Sequence, residues 1–290
     1  MMKRIAPQIL ALLILAVPLW GQNVQFDVSH STDWQIGEMS TQISFYLADA
    51  GIRLPTGRFM AEETLRDAYP RLLRQSLMSL RVDSSSTIAD LVERGELSLE
   101  ELDALCLAAE QTAPSLSTDL SRMSARYKIF MERVGSLFGR QGRVVEAERP
   151  LIPVPTVNYT GIVIFADEEL PIRGRMTAAL LEPCLFPRIW DTDMNLFYER
   201  NMSEQRPVVR YTTRENVLRP TPSGLEGELA ELAGPNPLRI IARGAFGISP
   251  TDPVIDRQDA LLILSSENNR RLLRQGRVIL VLDEQMLTVP

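Results

Sequence analysis

The stretch "RPLIPVPTV", Arg149 to Val157, carries three prolines and almost no helix-forming character. Proline fixes φ and removes a backbone donor, so such a run is stiff and extended and connects elements rather than forming one. It divides the chain. Residues 22–148 read as an N-terminal module, 149–157 as a proline-rich linker and 158–290 as a C-terminal module, each of ordinary domain size.

Downstream of the linker, "YTGIVIFA" (Tyr159–Ala166) is a short buried strand. "PRIWDTDMNLFYE" (Pro187–Glu199) is a hairpin turning at "DTD". "PVVRYTT" (Pro207–Thr213) is a further strand and "SGLEGELAELAG" (Ser223–Gly234) a short helix. "NPLRIIARGAFG" (Asn236–Gly247) reads as one strand and "GRVILVLD" (Gly276–Asp283) as the final one.

Upstream, Ile43, Phe45 and Leu47 alternate in "DWQIGEMSTQISFYLADAG", a strand that ends by Gly51. Phe59, Leu65, Leu72, Leu73, Leu77 and Leu80 follow at helical spacing, with Pro70 expected to kink or divide the helix. "DSSSTIADLVERG" is a short helix stopped at Gly95. In "SLEELDALCLAAEQTAP", Ser98 and Glu101 form the capping-box pattern. Met123, Ala125, Tyr127, Ile129 and Met131 then alternate in a long strand, expected to pair with the one around Ile43. With no regular βα repeat, the fold class is α+β: two small modules with mixed or antiparallel sheets packed by short helices.

"FGISPTDPVIDRQDALLIL", Phe246 to Leu264, resembles a catalytic loop at first sight. Its polar residues have structural uses. Pro250 and Pro253 stop a strand and set an extended turn. Asp256 is an N-cap, with Asp259 three residues on as a capping-box variant, and Leu261, Leu262 and Leu264 turn to the core. "SSENNRRLLRQG" repeats the pattern, with a serine cap and Gly276 as the stop. The alternative is a cation site made by Asp252, Asp256 and Asp259, but the spacing is not that of an EF-hand.

Lys3 and Arg4, the apolar run Ile9–Leu19 and the turn residues Pro18 and Gly21 have the layout of a secretory signal peptide, residues 1–21. The apolar run is shorter than the ~20 residues that span a bilayer. No cysteine follows it for lipid attachment. The expected location is the periplasm or outside the cell. Loss of Lys3 and Arg4 makes the mature chain two units more negative than the −6 of the whole sequence. An acidic chain without a basic block excludes nucleic acid as a partner held by charge and allows at most peripheral membrane contact. Cys106 lies on the apolar stripe of a helix, and a bridge to Cys184 is left open.

Catalytic groups are scarce. His30 is the sole histidine and is read as part of a flexible N-terminal end. No nucleophile elbow, zinc-protease motif or phosphate-binding loop occurs. "GRQGR" (Gly139–Arg143) reads as a turn. The acidic neighbours Glu62 and Glu63, Glu100 and Glu101, and Asp167 to Glu169 read as solvated faces. Tyr127, Trp190, Phe197 and Tyr198 offer either a stacking surface for sugars or half-buried strand positions. No residue is assigned as catalytic, cofactor-binding or metal-binding, and no cofactor is expected.

The order "TGIVI", "PRIWD", "ARGAFG" and the aspartate-capped helix leading into "RVILVLD" resembles bacterial envelope proteins related to the twenty-kilodalton outer-membrane lipoprotein class, which includes flagellar-assembly proteins. The likeness spans Tyr159 to Asp283. It implies an envelope protein acting through protein contacts, with envelope or flagellar proteins as partners, and it supplies no active-site residues. The missing lipidation cysteine departs from that pattern. The expected function is a non-enzymatic assembly or scaffolding factor. The alternative is a soluble periplasmic module binding sugar or cell-wall fragments around Trp190 to Tyr198.

Overall fold

In the computed structural model, which describes residues 24–138, 145–204, 208–218 and 224–289, alternation of apolar and polar residues sets the first sheet. β1 (Phe26–Asp33) and β2 (Glu38–Tyr46) form a hairpin. α1 (Arg58–Met78) crosses the sheet, burying Ala61, Leu65, Leu72, Leu73 and Leu77. A small hairpin of β3 (Arg81–Asp83) and β4 (Ser86–Thr87) follows. α2 (Ile88–Glu93) and α3 (Leu99–Leu107) come next, both opened by complete capping boxes, Thr87 with Asp90 and Ser98 with Glu101. β5 (Glu110–Gln111), β6 (Ser115–Leu116) and the long β7 (Arg122–Phe130) return to the sheet, and α4 (Met131–Leu137) ends the module. β7 pairs antiparallel with β2, Ala125 opposite Ile43, as the alternation predicts.

Two expectations fail here. Pro70 does not divide α1, which runs through it for 21 residues. The buried leucines on both sides hold the helix against the sheet, and tertiary packing outweighs the missing donor. The segment around His30 is not a loose end, for it is the eight-residue strand β1.

The second module holds a four-stranded sheet in the order β13-β17-β8-β14, with β8 (Ile162–Phe165), β13 (Arg210–Thr212), β14 (Leu238–Ile241) and β17 (Val278–Val281) all parallel. Within the α+β class this one sheet is neither mixed nor antiparallel. Its central strands, β8 and β17, read as continuous apolar runs because both their faces are covered, whereas β14 leaves Arg239 and Ile241 exposed. Ile162, Ile164, Val278 and Leu280 join the main core, while Val163, Ile279 and Val281 form a second cluster with Leu232 and Ala233. Those two belong to α6 (Gly227–Ala233), which follows the short α5 (Arg214–Val217).

Beside it lies a sheet in the order β12-β11-β16-β15: β11 (Ile189–Asp191), β12 (Leu196–Tyr198), β15 (Gly244–Phe246) and β16 (Asp252–Ile255). β11 and β12 are the expected hairpin. A two-residue ladder joins β9 (Leu170–Pro171) to β10 (Ala178–Ala179). "NPLRIIARGAFG" is two strands, not one. Ala242 N–H bonds to Phe165 O in the parallel sheet, and the next residue, Arg243, bonds to Val254 O in the other. Pro253 is not in the turn but inside β16, opposite Ala245. It is tolerated because pairing with β11 begins only at Val254.

α7 (Arg257–Leu264) and α8 (Glu267–Arg274) pack as a pair. Asp256 caps α7 by accepting from Gln258 N–H at 2.9 Å, so the expected box with Asp259 does not close. Ala260 and Ile263 are the buried residues of α7, with Leu262 and Leu264 only partly covered. Ser266 makes no cap bond, and Gly276 ends the segment at φ +62° as expected. β17 is not the last element. α9 (Glu284–Leu287) and β18 (Thr288–Val289) return to the first module, where β18 pairs antiparallel with Thr32 and Asp33 of β1.

The modules are joined by more than a linker. Leu185 and Phe186 donate N–H to the carbonyls of Arg81 and Val82, and Ser249 donates to Ser84 O. Gly247 permits this approach. Its φ is +116°, and an added Cβ would lie 2.4 Å from the Ser84 Cβ. Trp34 meets Tyr211 edge-on at 5.8 Å, and one apolar cluster runs through both halves. The proline-rich segment is itself tied down: Val154 N–H donates to Ser265 Oγ, Tyr159 N–H to Asn269 Oδ1, and Asn269 Nδ2 to Val157 O.

Candidate interaction surfaces

The alternation that buries Met39, Ile43 and Phe45 of β2 leaves the edge strand β1 with two uses. Its inner row is Val28, His30 and Thr32, and its outer row Asp27, Ser29 and Ser31. β18 occupies the free edge only at Thr32 and Asp33. Among the described residues, Phe26 to Ser31 pair on one side alone, with β2. That row of backbone groups can accept another strand.

Beneath the inner row lies a cleft of about 240 Å³ between the modules. His30, Thr32 and Trp34 form one wall, the end of α1 with Ser76 and Ser79 another, and Glu182 and Met286 close it. Arg81 Nε meets Glu182 Oε2 at 3.4 Å across the two halves. The cleft brings a histidine near two serines without making a catalytic pair. Ser76 Oγ donates to Leu72 O and Ser79 Oγ to Ser76 O, as helix hydroxyls do.

The three aspartates of the 246–264 stretch take separate roles. Asp252 is 1 % exposed. It accepts hydrogen bonds from Arg188 N–H at 3.1 Å, Thr251 Oγ1 at 3.0 Å and Trp190 Nε1 at 3.4 Å. Burial raises its pKa, opposed by these donors and by the Ser84 hydroxyl of the first module. Asp252 is therefore a junction inside the molecule. Asp259 is raised by burial and then by the charge of Asp256, with Arg243 opposing. Among the described residues no three His, Cys, Asp or Glu side chains converge as a cation site requires.

The cysteines are apart and buried as free thiols. Burial pushes Cys106 up to about 12 and Cys184 higher still, so neither thiol is ionised at neutral pH. Tyr127, Phe197 and Tyr198 are buried, Tyr127 stacked on Tyr69 at 4.6 Å, which removes them from any sugar platform. Trp190 is half-buried against Phe246. The acidic pairs serve the fold: Glu62 binds Arg58, Glu101 caps α3, and Asp167 and Glu168 hold Arg214. "GRQGR" and the leader lie outside the described residues. No described helix is long and apolar enough to cross a membrane.

The sequence signal for the β1 edge is "FDVSHSTD", Phe26 to Asp33, whose alternation is as regular as that of β2. The polarity of its apolar-face residues, His30 and Thr32, conceals it.

Fold and comparison together define a protein of two α+β modules. Residues 25–137 match the family model described as Treponema pallidum Tp0624, N-terminal domain, and residues 161–284 match that of Tp0624, second domain. The chain is thus similar to Tp0624 over both modules, in the same order. No curated protein matches it at a significant level. The match to the second domain covers nearly the same stretch as the likeness to envelope lipoproteins, on which the comparisons are silent.

Proposed function

We propose that this protein is a non-enzymatic envelope protein of the assembly or scaffolding kind, delivered across the inner membrane by residues 1–21. It holds a partner by adding an extended segment to the free edge of β1. The observation that carries this reading is the one-sided pairing of Phe26 to Ser31. An exposed edge invites another chain unless it is blocked. The envelope-lipoprotein likeness of Tyr159–Asp283 points to an outer-membrane or flagellar component as the partner.

The test is in-cell photo-crosslinking from Asp27 and Ser29, with Glu63 on exposed α1 as the control position. Envelope proteins are expected to be captured from the edge positions and lost in Val28→Lys, which points a charge inward from the edge. Equal capture from Glu63, or capture unaffected by Val28→Lys, would overturn the reading.

A second reading, binding of sugar or cell-wall fragments, is favoured by one observation. The outer face of the first sheet carries a polar groove of about 380 Å³, away from the buried aromatics.

A further inference from the structure

The outer face of the β1-β2-β7 sheet is a grid of short polar side chains. Register places Ser29, Gln42 and Arg126 in one cross-strand row and Ser31, Ser40 and Lys128 in the next. Two hollows lie on this face. The larger, about 380 Å³, is bordered by Ser29, Ser31 and Ser40, with the carboxylates of Asp33 and Glu38 at its far end; the smaller, about 220 Å³, by Thr112, Ser115 and Ser124. Gln42 and Arg126 line both, so the hollows meet at this pair.

Charge on the face is unevenly compensated. Arg122 is held by Asp27 at 2.7 Å, and Lys128 by Glu38 at 2.9 Å. Asp33, at the far end, has its Oδ1 engaged by the N–H groups of Gln35 and Ile36. Among the described residues Arg126, in the middle, has no carboxylate partner, and its guanidinium reaches Gln42 Oε1 at 3.4 Å. Its backbone is fixed nonetheless. Thr112 Oγ1 accepts from Arg126 N–H at 3.0 Å, and Thr112 N–H donates to Arg126 O at 2.9 Å. A cation carried on a rigid strand, where two polar hollows meet, offers a site for an anion flanked by hydroxyl groups.

We infer that the groove centred on Arg126 binds an acidic glycan, with a sugar carboxylate on Arg126 and the adjacent sugar hydroxyls on the serine rows and Gln42. This rests on the second reading above and gives it a site and a ligand class. Arginine suits the role because its planar fork pairs with a carboxylate in two parallel bonds.

Calorimetric titration of the full mature chain with an oligogalacturonate and with a neutral dextran oligosaccharide of equal length tests it. The acidic oligosaccharide is expected to bind saturably, more weakly as salt rises, and at least tenfold more weakly to Arg126→Gln. The neutral one is expected to show no comparable heat. Acidic binding that survives Arg126→Gln would refute the site while leaving sugar binding standing. No saturable binding of either oligosaccharide would refute both. Hydrogen exchange on the unmodified protein supplies a readout free of any folding defect. Protection by the acidic ligand should fall on the amides of Gln42 and Ser124, and protection elsewhere would overturn the assignment.

Discussion

The two main sheets of this molecule solve the same problem in opposite ways. In the parallel sheet, β8 and β17 alternate between two apolar clusters, so consecutive residues are covered on both faces, with only Phe165 of these strands partly exposed. In the antiparallel sheet burial falls mainly on the inner row, and apart from Glu38 and Ser44 of β2 the outer face of β1 and β2 and part of an edge are left at least partly to solvent. Antiparallel sheets can face water on one side and parallel ones rarely do. The surfaces proposed for contact therefore lie on the first sheet, while the central strands of the second are wholly structural.

The largest effect that bears on this contrast is in the parallel sheet. Ile164→Ala, at a site with no exposure, should lower stability by about 2–5 kcal/mol in urea denaturation. Ser29→Ala on the outer face should change it by no more than about 0.5 kcal/mol. Similar losses at the two positions would erase the distinction between a structural and a contact sheet.

Next comes Asp252, which ties the modules together. Asp252→Ala leaves the Arg188 and Trp190 N–H groups without their acceptor and should cost about 1–3 kcal/mol. Asp252→Asn separates charge from contact. The folded carboxyl keeps its proton to higher pH than the unfolded one, whose pKa is near 3.8. Its contribution is therefore complete below that value and is lost as pH rises through the folded pKa. Melting temperatures across pH 3–8 should show Asp252→Asn gaining on the wild type as pH rises. A constant difference would mean that the carboxyl is not raised.

Much of this architecture is legible in the sequence, and the failures share a cause. The capping box at Ser98 and the pairing of the strands around Ile43 and Ala125 rest on local rules that the structure obeys. Pro70, Pro253 and the split of Asn236–Gly247 depend on what packs alongside, which no window of sequence contains. The contact surfaces are harder still. Arg126 reads as one polar residue among the alternations of β7, and only the ladder reveals that, among the described residues, its neighbours' charges are paired with carboxylates and its own is not.

Pro70→Ala is the third test, and it concerns the helix that covers the antiparallel sheet. Proline inside a helix is about 3 kcal/mol worse than alanine. The ring returns roughly 1 kcal/mol by restricting the unfolded chain. A net gain of about 2 kcal/mol is expected, read as a higher urea midpoint with unchanged slope. A loss would mean that the ring itself fills space against the sheet.

The smallest effect is the sharpest probe of the inner row. Thr41 is fully buried on β2, opposite His30 on one side and Tyr127 on the other, and its hydroxyl has no hydrogen-bond partner among the described residues. A desolvated hydroxyl without a partner is unfavourable, and valine has nearly the same shape and a better strand preference. Thr41→Val should therefore raise stability by about 1 kcal/mol. If it lowers stability instead, the hydroxyl is serving something in the cleft beneath His30. The inner row would then be part of the contact surface, and the division between a buried face and a binding face would not hold for this sheet.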